Sequence, residues 1–204
     1  MNLAVQTLAT GGLVAIPTET VYGLSAAINN EIAISKIFVV KGRPHNHPLI
    51  VHLAHIDQLR LVANNIHPDA IKLAHACWPG PLTLLLQRSE NVSMSITGGR
   101  DTVAVRIPDN AFTRQLIINL GSPIAAPSAN RFGKVSPTTA QHVCDDLQND
   151  VDLIVDDGAS SIGVESTIVD FSVSHPQLLR PGGIPIEDLE LLGFYVGVNQ
   201  QHVA

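Results

Sequence analysis

The stretch Val39–His52, VVKGRPHNHPLIVH, decides the fold. One apolar run ends at Val40, Lys41-Gly42-Arg43-Pro44 follows, and the chain re-enters an apolar run at Pro48–Leu53. The segment before it starts at Asn29, has Glu31 in its first turn, and carries Ile32, Ile34, Ile37 and Phe38. That spacing predicts an amphipathic helix, and Pro48–Leu53 predicts a strand. His45, His47 and His52 fall in the same stretch, so metal, phosphate and a solvated loop are its three possible readings.

Working outward, the pattern continues. Asn2–Gly12 predicts a short helix closed by Gly11 or Gly12, and Leu13–Ile16 a buried strand stopped by Pro17. Helical segments are predicted around Ile56–Asn64 and His67–Cys77, then strands at Pro81–Gln87 and Thr102–Ile107. A helix over Asn110–Leu120 ends at Gly121, followed by a strand at Pro123–Ala126 and a helix at Pro137–Gln148. Strands at Val151–Asp157, Ser166–Phe171 and Gln177–Arg180 precede a last helix, Ile186–Leu192. Several strands adjoin in sequence, which predicts a mixed sheet with helices packed on it, an α/β (α+β) class, in one domain over 1–204.

At 204 residues and 45% hydrophobic, the chain can bury a sizeable core. A net charge of −6 argues against bulk attraction to nucleic-acid backbones. Cys77 and Cys144 make neither a CxxC nor a zinc spacing. The N-terminus lacks a positive n-region and no apolar run is long enough for a membrane span, so a soluble cytoplasmic protein is expected. The phosphate loop GxxxxGK[ST], GxGxxG, HExxH and GxSxG are absent.

Six of the twelve cations, Lys41, Arg43, Arg106, Arg131, Lys134 and Arg180, lie at strand ends or in loops. Pro17–Gly23, PTETVYG, offers hydroxyls and a carboxylate to a small ligand, or a helix N-cap at Thr18 or Thr20. Lys41 and Arg43, at i and i+2 in an extended turn, would point the same way toward a phosphate or carboxylate. His45, His47 and His52 beside those cations make a poor metal set. Arg106 in an apolar strand marks a sheet edge or a polar cavity. Ser128 and Asn130 share one side of an extended stretch, and Ser136-Pro137 suits either phosphate contact or a helix N-cap. Ser166 and Thr167 open one strand and Arg180 ends another. Trp78–Thr83, WPGPLT, reads as a structural turn before a strand.

Taken in order, PTETVYGL, KGRP with HPLIVH, WPGPLT, VAVRIP, APSAN with SPT, GVESTIVD and LLRPGGI resemble the YrdC/Sua5 family of threonylcarbamoyl-AMP synthases, over about residues 12–184. The ordered set is specific, though no single loop is. The resemblance implies a single YrdC-like domain, a large twisted mixed sheet around a deep, positively lined cavity, and a reaction of L-threonine, bicarbonate and ATP that gives threonylcarbamoyl-AMP and pyrophosphate. It implies ATP contacts at Arg43, His47, Thr102, Ser128, Asn130, Ser136 and Arg180. It implies a threonine pocket at Thr20, His52, Arg106, Ala126 and Ser166. Lys41, Arg43 and Arg180 are the residues expected to neutralise the phosphates. Mg²⁺ would ride on the phosphates, with no protein metal ligand assigned. The product would pass to separate threonylcarbamoyl-transferase proteins acting on tRNA. The departure is at position 47, where His stands for the family's usual Asn. GVESTIVD and RPGGI look Sua5-like, yet no second C-terminal domain of that type is present in the sequence. Two rival classes remain: an RNA-binding maturation factor, and a carbamoyl-transfer domain of a larger enzyme.

Overall fold

Asn30 caps the helix that precedes the cationic loop, its side chain accepting the backbone N–H of Ala33. Gly42 closes that helix with φ 61°, in the left-handed region where a Cβ is strained. The computed structural model describes residues 1–198. Its helices are α1 (Asn2–Ala9), α2 (Glu31–Lys41), α3 (Leu59–Val62), α4 (Pro68–Cys77), α5 (Met94–Thr97), α6 (Ala111–Leu120), α7 (Ala140–Leu147) and α8 (Ile186–Leu191). Its strands are β1 (Val14–Ile16), β2 (Gly23–Ala27), β3 (Ile50–His52), β4 (Ala63–Asn64), β5 (Leu82–Arg88), β6 (Thr102–Arg106), β7 (Ile124–Ala125), β8 (Leu153–Ile154), β9 (Thr167–Asp170), β10 (Gln177–Arg180) and β11 (Gly197–Val198).

The strands form one mixed sheet in the order β11-β10-β9-β5-β6-β3-β7-β2-β1-β8, with β4 pairing β5. β3 and β6 run parallel with His52 beside Arg106, and β5 and β9 run parallel with Thr83 beside Ile168. Alternation sorts the faces. Val51, Val103 and Val105 enter the core with Ile34, Ile37 and Phe38 of α2, each such burial contributing about 1.5–3 kcal/mol. Ile50, His52, Ala104 and Arg106 take the opposite face and line a cavity.

Several sequence expectations need correction. Thr18 and Thr20 start no helix: the Thr18 hydroxyl donates to Val21 O (2.6 Å) and closes a turn that leads into β2. β2 itself, Gly-Leu-Ser-Ala-Ala, is built of small residues without alternation and gave no strand signal. Ser136-Pro137 is not the cap of α7; Thr139 is, accepting the N–H of His142 at 3.2 Å. The predicted helix over 56–64 is a 3-10 turn, the short α3 and then β4, because Ala63 and Asn64 pair with Arg88 and Gln87. Arg106 is no edge residue, since β6 lies between β5 and β3.

Candidate active site

A cavity of about 280 Å³, close to the lower end of the size of small-molecule sites, opens where the loops before β2, after α2 and after β7 meet the ends of β3, β6, β9 and β10. Eight expected site residues line it: Thr20, Arg43, His52, Arg106, Ala126, Ser128, Ser166 and Arg180. They come from seven separate stretches of chain, so only the fold brings them together. Lys41, His47, Thr102, Asn130 and Ser136 are not among the lining residues.

The inner end is built on Arg106, which is 3% exposed. A guanidinium has five N–H groups. Nε donates to Gly80 O at 3.2 Å, Nη1 donates to Thr20 Oγ1 at 2.7 Å, and Nη2 lies 2.5 Å from Glu19 Oε1. The Glu19 contact is a buried charge pair. The other Glu19 oxygen accepts the N–H of Asp109 at 2.9 Å, which fixes the carboxylate. At least two Arg106 N–H groups are left without a hydrogen-bond partner among the described residues. They suit a carboxylate, which takes two parallel donors.

His52 sits beside Arg106 in the register. Burial, and secondly the Arg106 charge, pull its pKa down to about 3. The imidazole is therefore neutral at pH 7. Its Nδ1 lies 3.1 Å from Ile50 O, an acceptor, which assigns the proton to Nδ1 and leaves Nε2 as an acceptor. Such a weak base holds a polar group better than it removes a proton.

At the outer end, Arg43 donates through Nε to His47 O (3.3 Å) and through Nη2 to Pro48 O (2.9 Å). Phe132 lies under its guanidinium at 5.7 Å and meets the His47 ring edge-on at 5.1 Å. Arg180 reaches the cavity from β10 by donating to Ser166 O and Oγ. Gly182 permits this, because a Cβ there would lie 2.4 Å from Glu165 O. Ser136 donates to Glu165 Oε1 at 2.6 Å, so it touches the cavity through that carboxylate.

Lys41 and Arg43 do not share a direction. Lys41 completes α2, and the left-handed Gly42 turns the chain between them. The Lys41 ammonium is buried and donates to Ser128 O (2.5 Å) and to Asn130 O, while its own carbonyl accepts the N–H of Phe132 (2.7 Å). It ties down the loop that carries Ser128. Burial, then the Arg43 charge, pull its pKa down to about 7, and the Asp146 carboxylate works the other way. Asn130 donates to Arg131 O and Lys134 O, so it shapes the same loop. Arg131 and Lys134 pair with Asp150 and Asp146 instead of the cavity. Thr102 shares the face of Ala104 and Arg106, four residues along β6 from Arg106.

The three histidines part company: His45 stacks on Phe38 (4.7 Å), His47 lies on the exposed turn, and His52 lines the cavity. Two carboxylates take roles that the sequence does not show: Glu19 is expected to face a ligand but pairs with Arg106, and Glu165 carries no expectation. Glu19 lay inside the PTETVYG loop, and Glu165 immediately before the chosen Ser166.

The family model Sua5_yciO_yrdC, described as telomere recombination, matches residues 6–182. The chain belongs to the Sua5/YciO/YrdC family. A threonylcarbamoyl-AMP synthase of Pyrococcus abyssi is 52% identical over 88% of this chain and 53% of its own length. One of Bacillus subtilis is 49% identical over 87% of this chain and 52% of its own. The crystal structure of P. abyssi Sua5 complexed with L-threonine superposes with a TM-score of 0.95 at 48% identity, covering 97% of this chain and 58% of that one. This Sua5/YciO/YrdC chain thus spans about half the length of these relatives. Among its described residues, no helix is long and apolar enough to cross a membrane.

Proposed function

We propose that the cavity is the active site of a threonylcarbamoyl-AMP synthase, a nucleotidyltransferase acting on L-threonine, bicarbonate and ATP. One observation carries the reading. A single cavity joins a buried carboxylate grip, Arg106 with Thr20 and neutral His52, to two further arginines, Arg43 and Arg180, beside the Ser128 loop. That is the arrangement for an amino acid and a polyphosphate held end to end. The close relatives carry the same activity in their names and, in P. abyssi Sua5, a bound L-threonine.

In this reading Arg106 takes the threonine carboxylate and His52 Nε2 accepts from its ammonium or hydroxyl. Once the ammonium has given a proton to solvent, the neutral amine attacks the carbon of bicarbonate. The C–N bond forms, a C–O bond breaks, and the departing hydroxide takes an amine proton to leave as water, giving the N-carboxylate (attack on CO₂ would give the same anion with loss of a proton only). A carboxylate oxygen then attacks the ATP α-phosphorus, and the bond to pyrophosphate breaks. Two anions must meet, so fixed positive charge matters more than a nucleophilic side chain. Arg43 and Arg180 supply it, and Lys41 acts one step back by holding the Ser128 loop. Pairing Arg106 with Glu19 before substrate arrives keeps the guanidinium in place, and positioning carries much of the rate.

Magnesium belongs to this proposal. Glu165 is the one carboxylate among the lining residues, and a Mg²⁺ on substrate phosphates needs only one or two. Glu165 would hold the ion, which when bound neutralises phosphate charge. The product would serve threonylcarbamoyl-transferase proteins that modify tRNA in the cytoplasm.

The test is isotopic. Purified protein with ATP, L-threonine and ¹³C-bicarbonate should yield an adenylate that contains one ¹³C and one threonine by mass spectrometry. Label that enters only with carbamoyl phosphate, or steeply salt-dependent RNA binding without adenylate, would overturn the reading in favour of its rivals.

A further inference from the structure

Ser166 is tied to a cation and to a hydroxyl. Arg180 Nη2 donates to its Oγ at 3.0 Å and to its carbonyl at 2.9 Å, and Arg180 Nε donates to the same carbonyl at 3.1 Å. Thr83 Oγ1 lies 2.7 Å from Ser166 Oγ. Thr83 is fully buried on β5 and is not among the residues that line the cavity described above. It pairs with Ile168 of β9, and it lies one step beyond the Leu84↔Val105 pair, which sets it beside Arg106 of β6. Directly paired residues share a sheet face. Thr83 therefore stands on the cavity-facing side of the sheet, in one row with two residues that line the cavity, but is itself covered.

The direction of the Thr83–Ser166 bond follows from satisfaction. A serine hydroxyl has one hydrogen to give and two acceptor sites, of which Arg180 fills one. Among the described residues the Thr83 hydroxyl has no hydrogen-bond partner except Ser166. If Ser166 donated, the Thr83 hydrogen would be buried with no acceptor, a costly arrangement. With Thr83 as donor, both Ser166 acceptor sites are filled and its hydrogen is free.

We propose that Thr83 is a positioning residue that polarises Ser166, so that Ser166 offers the cavity a hydrogen only and selects an oxygen anion, the carboxylate of bound threonine beside Arg106. This rests on the synthase reading above and names a residue outside the cavity wall as part of its amino-acid grip.

Thr83→Val keeps the shape and removes the donor. Calorimetry of L-threonine binding without ATP should show roughly ten-fold weaker affinity, the upper end for loss of one buried bond between neutral hydroxyls, with thermal midpoint and ATP affinity little changed. Thr83→Ser should restore threonine affinity. In a Ser166→Ala background, Thr83→Val should have no further effect, since the two act as one unit. Should Thr83→Val fail to fold, Thr83→Cys, a weaker donor, must show the same selective loss. Threonine affinity within two-fold of the parent in a folded Thr83→Val or Thr83→Cys protein overturns the proposal alone. A parent protein that binds no threonine overturns the synthase reading with it.

Discussion

At the inner end of the cavity Arg106, His52, Thr20 and Ser166 are buried, and each has a fixed protein partner. At the outer end Arg43, His47 and Phe132 stand on exposed or half-exposed loops and hold chiefly one another. The inner end compensates its charge in advance through Glu19 and keeps its histidine neutral. Among the described residues no carboxylate pairs with Arg43, so this end carries positive charge that its own side chains leave uncompensated. In the proposed reading, the contrast is between a grip that the fold also needs and a grip that only the ligand needs. Substitutions should therefore separate stability from activity according to which end they touch.

The largest expected effect is at the inner end. Glu19→Ala leaves Arg106 buried and unpaired and should cost about 3–5 kcal/mol in chemical denaturation. A loss below about 1 kcal/mol would show that the pair does not anchor this end. Arg43→Ala should lower pyrophosphate release by about 10²–10³-fold, yet shift stability by no more than about 0.5 kcal/mol. Near-normal turnover in that variant would remove Arg43 from the outer grip.

His52 gives a pH signature. Its folded pKa, about 3, lies below the unfolded value of 6.5, so the unfolded chain binds more protons between those limits. Stability should fall as pH drops below 6.5, by about 2 kcal/mol on reaching pH 5. His52→Gln should flatten that part of the curve, and an unchanged acid limb would contradict a buried neutral imidazole. The smallest effect is at Phe132. Phe132→Ala removes one half-exposed cation–π contact and should raise the KM for ATP only a few-fold, or about 0.5–1 kcal/mol.

The sequence told the two ends apart unequally. Periodicity and caps marked α2, α4 and α6, because Asn30, Pro68 and Gly121 punctuate strong apolar patterns. β2 escaped, since Gly-Leu-Ser-Ala-Ala acquires its strand identity from β1 and β7 on either side. Arg106 left two readings open from composition, and only the interior position of β6 chose the cavity. Lys41 departs from its expected direction for a related reason. Its spacing from Arg43 suggests one direction, but a left-handed glycine between them sends the lysine under the Ser128 loop. Glu19 and Thr83 were not legible as site supports, because their roles arise from partners 87 and 83 residues away (Arg106 and Ser166).

The most direct measurement of the central claim is pyrophosphate release from ATP by purified, folded protein, with each substrate omitted in turn. Release should require L-threonine and bicarbonate together and should collapse in Arg43→Ala. Release that ignores threonine, or none in any mixture, would contradict an active site built from an amino-acid end and a polyphosphate end.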